Sequence, residues 1–251
     1  NARFYLFNAI LSGAALGVYR LLFNFYALSL NLDESIIGHI ITISSTTALI
    51  LALPMGYLAD TLGRKTSLLL GGLLTSSSIV AMVLWPSAGL FYAMAVLMGA
   101  SQSLSAVTVA PFLLENSGPE ERTYLFSLSQ GLMMTASFVG NSIGGYLPTW
   151  IGQARGVEAT SSTAYAGALG IIAGLSALAL IPLLALRTPR LAAGEKSLFA
   201  PISYAVKHVG TIGKMVLPML ITSIGAGLFM PFMNVFFRVV YKQPDPVIGN
   251  V

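Results

Sequence analysis

The sequence predicts an all-α membrane protein, a bundle of transmembrane helices, and two observations predict it. Hydrophobic residues make up 55% of the 251 residues and charged residues only 9%, whereas soluble domains carry about 25% charged residues. Long apolar runs also follow one another along the chain, and a helix needs about 20 mostly apolar residues to cross about 30 Å of hydrocarbon. With so little charge, no soluble class of protein fits this composition.

Seven apolar runs are long enough to span a membrane. An eighth begins near Pro246 and stops with the sequence at Val251. The first run is too long for the apolar region of a cleavable signal peptide, and the sequence opens with Asn1 rather than Met, so we expect a fragment of a longer protein. The predicted spans cover roughly residues 4–31, 35–59, 66–85, 89–114, 121–151, 162–186 and 215–241.

The lysines and arginines are divided unevenly between the two sides of these spans. Arg155 and Lys242 lie on one side, and Arg20 and Arg238 fall inside apolar runs. Because cytoplasmic loops of membrane proteins are enriched in basic residues, we expect a multi-pass protein of the cell membrane with a cytoplasmic N-terminus. The other nine basic residues all lie on the N-terminal side: Arg3, Arg64, Lys65, Arg122, Arg187, Arg190, Lys196, Lys207 and Lys214.

The connection between the second and third spans carries charges at unfavourable helix ends. Asp60 falls at the end of one predicted helix, and Arg64 and Lys65 fall at the start of the next. The helix macrodipole disfavours each of these placements by about 0.3–1 kcal/mol. We therefore expect the three side chains to be held by one another, by lipid phosphates or by the end of another helix. The alternative is an ordinary cytoplasmic turn whose bases follow the positive-inside rule.

This connection resembles the loop signature of the major facilitator superfamily (MFS), Gly-x-x-x-Asp-x-x-Gly-Arg-Lys, between the second and third spans. Gly56, Asp60, Gly63, Arg64 and Lys65 all fall in register with it. The resemblance covers the whole chain and implies an MFS-type helical bundle and a secondary transporter that works by alternating access. The implied parts are an N-terminal six-helix transmembrane half at 1–187, a cytoplasmic loop at 188–214, and the incomplete start of the C-terminal half at 215–251, with span 7 and the stub of span 8.

Short internal repeats support this architecture. Asn24 in span 1 matches Asn234 in span 7 after a one-residue slip. The triplet Gly-Tyr-Leu that begins at Gly56 in span 2 returns at Gly145 in span 5. Because one copy ends in the cytoplasm and the other outside, spans 2 and 5 would be related by inversion. Inverted three-span repeats nested in six-span halves are the architecture of such transporters.

Arg20 is the charged residue that we expect to matter most for transport. It lies inside span 1 on one helix face with Gly17 and Asn24. A charge at mid-membrane depth costs at least about 2.5–3.5 kcal/mol, so it should face a cavity or a partner. The alternative is that Arg20 snorkels or bridges helices structurally. For Arg238, at the outer end of span 7, we expect snorkelling. The predicted substrate pathway consists of Arg20, Asn24, Gln102, Gln130, Asn141 and Asn234.

Span 5 contains the run Gly140-Asn-Ser-Ile-Gly-Gly145, which resembles the superfamily's antiporter signature, Gly-Pro-x-x-Gly-Gly. Asn141 stands in place of the proline, which weakens the inference of antiport. Small residues at this spacing also allow helices to pack closely, and we favour this interpretation. The arginine that the family's proton-linked drug exporters carry in span 4 corresponds to Ala95 here.

The resemblance also implies a gate at the cytoplasmic face. Glu115 ends span 4 and Arg122 begins span 5, so with Asp60 and Arg64 they are expected to form a charge cluster that links spans 2 to 5. The implied role is a latch that breaks as the protein turns inward. The alternative is that exposed ion pairs contribute only about 0–1 kcal/mol. The predicted gating residues are Gly56, Asp60, Gly63, Arg64, Lys65, Glu115 and Arg122.

None of the nine acids lies in the middle of a predicted span. A proton-coupled pump usually places a carboxylate or a histidine there. If the protein is proton-coupled, we therefore expect the coupling site mainly outside these spans, with His39 as the titratable candidate within them besides tyrosine. The chain has no cysteine and only two distant histidines, so neither a metal site nor a cofactor is predicted.

The sequence thus predicts a secondary transporter of the major facilitator type that moves a small organic solute, by efflux of drug-like compounds or by uptake of a metabolite. The expected partners are this solute, the lipid bilayer, a proton as candidate coupling ion and the missing C-terminal half, and no nucleic acid. A seven-span receptor or sensor, or a membrane scaffold that does not transport, is the alternative, and the repeats and the cytoplasmic N-terminus disfavour a receptor. An enzyme is not expected, because no catalytic dyad or metal cluster falls at membrane depth.

Overall fold

The computed structural model describes residues 1–186 and 207–250, and in these ranges the chain forms helices and no strands. The first four helices are long, and each of their ends lies within a few residues of the end of the corresponding predicted span. Connections of one to four residues join them, so successive helices run in opposite directions. They are α1 (Ala2–Ser29), α2 (Glu34–Leu62), α3 (Arg64–Leu84) and α4 (Ala88–Glu115).

Each later span consists of more than one helix. The fifth is interrupted at Gly145 and Tyr146, and the sixth at Ala179. The seventh is interrupted by a 3₁₀ turn at Met230–Phe232, where Pro231 lacks the N–H group that a continuous helix would use. The helices are α5 (Arg122–Gly144), α6 (Leu147–Arg155), α7 (Ser162–Leu178), α8 (Leu180–Leu184), α9 (Val209–Phe229), α10 (Met233–Tyr241) and α11 (Asp245–Ile248).

Six helical segments within the described ranges are long and apolar enough to cross a membrane. They are α1 to α4, Ser162–Leu184 and Val209–Tyr241. α5 covers most of the predicted fifth span but is not one of the six, because serine, threonine, glutamine and asparagine recur along it. α5 nevertheless lies alongside α1, so it passes through the same layer as its more apolar neighbour.

The helices pack in pairs that agree with the predicted inverted repeat. α1 lies against α5, and α2 lies against α4. If spans 1–3 and 4–6 are related by inversion, the α1–α5 pair corresponds to the α4–α2 pair. α3 and α7 complete the bundle, with α3 against α4 and α7, and α7 also against α1. The largest fully buried side chains lie among these helices and include Phe25, Tyr26, Phe91 and Tyr165.

Glycines bring α1 and α5 into close contact. A Cβ atom at Gly13 would lie 2.5 Å from the carbonyl oxygen of Met133, and one at Gly17 would meet the carbonyl oxygen of Ser137. Because the contacts advance together along both helices, α1 and α5 are parallel. Between transmembrane helices, small residues four apart allow such an approach, and this confirms close packing for the Gly140–Gly145 run. On α5 the corresponding glycines are Gly140, which faces Ala14, and Gly144, which faces Val18.

The segment after residue 206 contacts the first six spans unevenly. α9 begins at Val209, earlier than the predicted start of span 7, and none of its residues is buried. α10 packs against α1, and α11 packs against α5. Most of the predicted loop at 188–214 lies outside the described residues. We call the end of the bundle that carries Asn1 and the 56–65 loop the N-terminal end, and the opposite end, where α10 and α11 pack, the far end.

Candidate functional site

The predicted gating loop is a one-residue turn between two helices. α2 ends at Leu62 and α3 begins at Arg64. Between them Gly63 has a φ of 83° and a ψ of 156°, a combination that is essentially restricted to glycine. A Cβ atom at Gly63 would meet no atom within 4 Å. The requirement for glycine therefore comes from the backbone and not from lack of space.

We expect Gly63→Ala to lower the free energy of unfolding by about 1–3 kcal/mol, because alanine is strained at this positive φ. Gly56→Ala is the control, since Gly56 is helical and a Cβ atom there also meets nothing within 4 Å. Thermal unfolding midpoints in detergent measure both variants. Equal midpoints would show that the turn does not require glycine.

Arg64 is the centre of a charge cluster at the N-terminal end. Its side chain is only 8% exposed. Nη1 of Arg64 lies 2.7 Å from Oδ1 of Asp60, and Nε donates to Oε1 of Glu115 at 3.1 Å. These ion pairs join the ends of α2, α3 and α4. In these pairs the opposite charges of Asp60 and Arg64 attract each other, which offsets the unfavourable position of each charge at its helix end.

Lys65 is held by the end of another helix. Its ammonium group donates to the carbonyl oxygens of Leu184, at 2.5 Å, and Leu186, at 2.8 Å. α8 ends at Leu184, and the last carbonyl groups of a helix lack partners within it and carry partial negative charge. Of the three supports predicted for the loop charges, two are present: the charges bind one another, and one binds a helix end.

The predicted contact of Arg122 with this cluster is not formed. The Arg122 side chain is exposed and makes no hydrogen bond or ion pair with residues 1–186 or 207–250. The reason is packing, because α5 lies mainly against α1 while Arg64 reaches α4. The structure therefore joins Asp60, Arg64 and Glu115 and leaves Arg122 apart.

Arg20 lies on an open face of α1. At about 100° per residue, its direction falls between that of Gly17, which packs on α5, and that of Tyr19, whose hydroxyl donates to Sδ of Met98 on α4 at 3.2 Å. The side chain is exposed and has no hydrogen-bond or ion-pair partner in the described part of the chain. Arg20 lies about 14 Å along the helix from the end of α1 at Ser29. A cation without a counter-ion in residues 1–186 or 207–250 thus lies well inside a spanning helix.

Asn24 and Asn234, matched by the internal repeat, contact each other. Nδ2 of Asn24 donates to the carbonyl oxygen of Pro231 at 2.7 Å and to Oδ1 of Asn234 at 3.0 Å. Nδ2 of Asn234 donates to the carbonyl oxygen of Leu21 at 3.0 Å. The two side-chain amides therefore join α1 to the start of α10, and in this arrangement they are occupied by helix contacts.

The other predicted pathway residues show no polar contact with Arg20, Asn24 or Asn234. Gln102 and Gln130 are exposed, and Nε2 of Gln102 donates to Oγ of Ser44 on α2 at 3.3 Å. Oδ1 of Asn141 is buried and has no hydrogen-bond partner among the described residues. The predicted pathway residues are thus distributed over α1, α4, α5 and α10 and do not form one cluster.

A second cluster, which was not predicted from the sequence, lies at the far end. The guanidinium carbon of Arg238 lies 4.1 Å from the centroid of the Phe25 ring, and Nη2 lies 3.1 Å from Oδ1 of Asp245. The Tyr165 hydroxyl donates to Oδ2 of Asp245 at 2.8 Å. The expected snorkelling of Arg238 is therefore wrong. We call these four residues the far-end cluster. The signal in the sequence was an acid seven residues after an arginine at the same end of a span.

Asp245 is buried, with 7% exposure, although the sequence suggests a loop outside the membrane. Burial raises the pKa of its carboxyl above the ordinary range, while the charge of Arg238 and the hydrogen bond from Tyr165 act in the opposite direction. Oδ1 lies within ion-pair distance of Arg238 but has no well-directed hydrogen bond among the described residues. The attraction of Asp245 to Arg238 is therefore chiefly coulombic.

The two clusters offer ion pairing and hydrogen bonding rather than metal chemistry. Among the residues that the structure describes, no group of three histidine, aspartate or glutamate side chains could hold a metal ion. The long apolar helices with short connections define the class of the protein as a multi-pass membrane protein. The family follows from comparison with known proteins.

The family model described as Major Facilitator Superfamily matches residues 5–245. The chain belongs to the major facilitator superfamily. This confirms the predicted family and the predicted fold class, a helical membrane bundle of the MFS type. A search of curated proteins found no match.

Many solved structures are similar to this chain, among them two transporters. A mutant of the nucleoside transporter NupG has a TM-score of 0.67 and 17% sequence identity, with 97% of this chain and 60% of that chain covered. A mutant of the peptide transporter POT, in complex with sulfate, has a TM-score of 0.58 and 17% identity, with 96% and 50% covered. At this identity they show the fold alone, and the chain spans only 60% and 50% of their lengths. Membership of this family points to a transporter and not to an enzyme.

Proposed function

We propose that this protein is a secondary transporter that moves a small organic solute by alternating access. The main support is the uneven contact between residues 209–250 and the first six spans. α10 and α11 pack on α1 and α5 at the far end, where Asn24 bonds to Asn234, whereas no residue of α9 is buried. If the rest of a second half follows these residues, the two halves would meet at the far end and enclose a cleft that opens at the N-terminal end. Alternating access requires this geometry.

We propose a cytoplasmic N-terminus in the cell membrane, because nine of the 13 basic residues lie on the N-terminal side of the predicted spans. In this orientation the far end faces outward and the cleft opens toward the cytoplasm. The described arrangement then corresponds to an inward-facing state with its outer side closed.

We further propose that residues 1–187 form one half of the transporter, that 188–214 join the halves, and that 215–251 begin the second half. The exposed apolar side chains of α9 support this division, for example Met215 at 74% and Leu228 at 78%. Further helices of a second half would cover such a surface, and the chain spans only 60% of NupG and 50% of POT.

For the solute, we propose that Arg20 lines the pathway. Its cation is exposed inside a spanning helix and has no partner among the described residues. It suits an anionic or hydroxyl-rich solute, since such a charge is costly unless a partner or water meets it. Exposed apolar residues on α5, such as Met134 and Phe138, suit a more hydrophobic one. Efflux of drug-like compounds and uptake of a metabolite are both compatible with these features. A proton is the proposed coupling ion.

At the N-terminal end, we propose that Asp60, Arg64 and Glu115 act in the cytoplasmic gate. Their ion pairs are intact although no residue of α9 is buried. The pairs therefore hold the ends of α2, α3 and α4 as one unit. The contact that breaks when the gate opens would be made between this unit and the second half, rather than within the unit.

Solute flux into liposomes that carry the full-length protein, with and without a proton gradient, tests this proposal. We expect Arg20→Ala to reduce flux by at least about tenfold, which corresponds to the loss of about 1.4 kcal/mol of solute or transition-state binding. Arg122→Ala is the matched control, because Arg122 is also an exposed arginine without a partner among the described residues. Asp60→Asn in the same assay tests the gate.

The outcomes separate the alternatives. Flux that depends on the gradient and falls in Arg20→Ala but not in Arg122→Ala supports a proton-coupled transporter with Arg20 on its path. Flux that ignores the gradient removes the proton from the proposal. No flux for any member of a broad solute panel would favour a receptor, a sensor or a scaffold.

A further inference from the structure

The far-end cluster joins the two halves through one charged pair and two aromatic side chains. Arg238 and Asp245 belong to residues 209–250, and Phe25 and Tyr165 belong to α1 and α7. The ion pair lies within one half, at 3.1 Å. The contacts that cross between the halves are the guanidinium of Arg238 over the Phe25 ring, at 4.1 Å, and the hydrogen bond from Tyr165 to Asp245, at 2.8 Å.

The cluster is seated in a closely packed surface. Ile248, three residues after Asp245, belongs to the main hydrophobic core together with residues of α1, α4 and α7. A Cβ atom at Gly145 would lie 2.6 Å from the carbonyl oxygen of Asp245, and one at Gly249 would meet the carbonyl oxygen of Asn141. Closing this end therefore removes the ion pair from water. Its exposed fractions are 24% for Arg238 and 8% for Asp245.

The energetics of the far-end cluster suit a contact that forms in the closed state and breaks in the open state. Burying an ion pair costs desolvation that the coulombic attraction can fail to offset. The aromatic ring and the phenol hydroxyl replace part of the lost hydration, because a ring face attracts a cation and a hydroxyl donates to a carboxylate. When the halves separate, Arg238 and Asp245 stay together in the same half, and water replaces the ring and the hydroxyl. The contribution of the cluster to the free-energy difference between the closed and open states is therefore small.

We infer that the far-end cluster is the latch of the outer gate, with Phe25 and Tyr165 as the receptor for a charged pair that the second half presents. This inference rests on the proposed alternating-access function and adds the residues that hold the outer side closed. Arg238 and Asp245 are positioning residues in this role, since they act on the equilibrium between the two states and not on the solute.

Thiol labelling from the outer side of membrane vesicles tests the latch in the full-length protein, in a background without other cysteines. The 251 residues contain no cysteine, so Ile248→Cys, at a position only 7% exposed when the gate is closed, reports gate opening. We expect Tyr165→Phe to raise the labelling rate by about tenfold. Tyr146→Phe is the matched control, because the exposed Tyr146 hydroxyl has no hydrogen-bond partner among the described residues. Equal rates in both variants would overturn the latch.

A charge swap, Arg238→Asp with Asp245→Arg, separates a latch from an ordinary ion pair. The swap restores the opposite charges but places a carboxylate over the Phe25 ring and an arginine beside Tyr165. We expect labelling to stay about tenfold faster than in the unswapped protein. Return to the slow rate would show that only the pair within one half matters, and the latch would be wrong. Asp245→Asn provides a milder second variant, with labelling expected to be faster as well.

Labelling does not depend on knowing the solute, so the two proposals fail separately. Labelling that responds to Tyr165→Phe in a protein without solute flux would support the latch and contradict the transporter. Normal flux with labelling that ignores both Tyr165→Phe and the charge swap would contradict the latch alone.

Discussion

Replacement of Arg64 by glutamine is expected to lower the free energy of unfolding by about 1.5–3 kcal/mol, the usual contribution of hydrogen bonds to charged groups, and to abolish most solute flux. The larger cost of breaking a fully buried ion pair does not apply, because Asp60 and Glu115, the two carboxylates that lose Arg64, are 28% and 36% exposed. Removing the guanidinium leaves two carboxylates facing each other across the ends of α2 and α4. Their repulsion and the lost hydrogen bonds act in the same direction.

The matched control for this variant is Arg122→Gln at the same end of the bundle. Arg122 is exposed and has no ion-pair partner in residues 1–186 and 207–250, so we expect a change in unfolding free energy below about 0.5 kcal/mol. Thermal unfolding in detergent and solute flux in liposomes measure both variants. If Arg64→Gln unfolds at the same temperature as Arg122→Gln, the cluster does not hold the helix ends together.

The second large effect is expected at the α1–α5 contact. Gly17→Ala and Gly140→Ala should each lower the free energy of unfolding by about 1–3 kcal/mol, the usual cost of overpacking. In both cases the new Cβ atom would meet a backbone carbonyl oxygen of the partner helix, that of Ser137 or that of Ala14. Helix backbones cannot shift locally as a flexible side chain does, so the two helices must separate.

Gly170→Ala on α7 is the control, since a Cβ atom there meets nothing within 4 Å. Alanine is the better helix former by about 1 kcal/mol, so this variant should be at least as stable as the parent protein. The sign of the effect therefore differs between the sites. If Gly17→Ala were as stable as Gly170→Ala, α1 and α5 would not be in backbone contact.

Much of the fold could be predicted from the sequence, because a membrane span is recognised by its apolar composition and its length. An apolar run of about 20 residues has few alternatives to a spanning helix, so the described helices lie where the seven runs predicted them. Helix breaks were harder to predict. The interruptions at Gly145 and Ala179 fall where Pro148 and Pro182 lack the N–H group that would bond to the carbonyl four residues earlier. Proline alone does not predict a break, because Pro54, Pro111 and Pro218 lie inside continuous helices.

The charges of the 56–65 loop show what could be predicted from the sequence and what depends on tertiary packing. From the sequence alone, Asp60, Arg64 and Lys65 needed partners outside their own helix ends, because macrodipole electrostatics is local. Tertiary packing determines which partners they bind: Arg64 binds Glu115, and Lys65 binds the end of α8. Arg122 looked equally suitable in the sequence. It is excluded because α5 packs on α1, a contact set by glycines rather than by charge.

The sequence by itself determined the class of this protein: its membrane location, its number of spans to within one, its loop signature and its family. Those properties depend on composition and on short-range spacing, and both are properties of the sequence itself. Only the tertiary structure decided that Arg238 and Asp245 contact Phe25 and Tyr165, and that Asn24 meets Asn234 while Arg20 stays exposed. The physical reason is that these contacts join residues far apart in the chain, 210 positions for Asn24 and Asn234, and depend on how separate helices are rotated and packed.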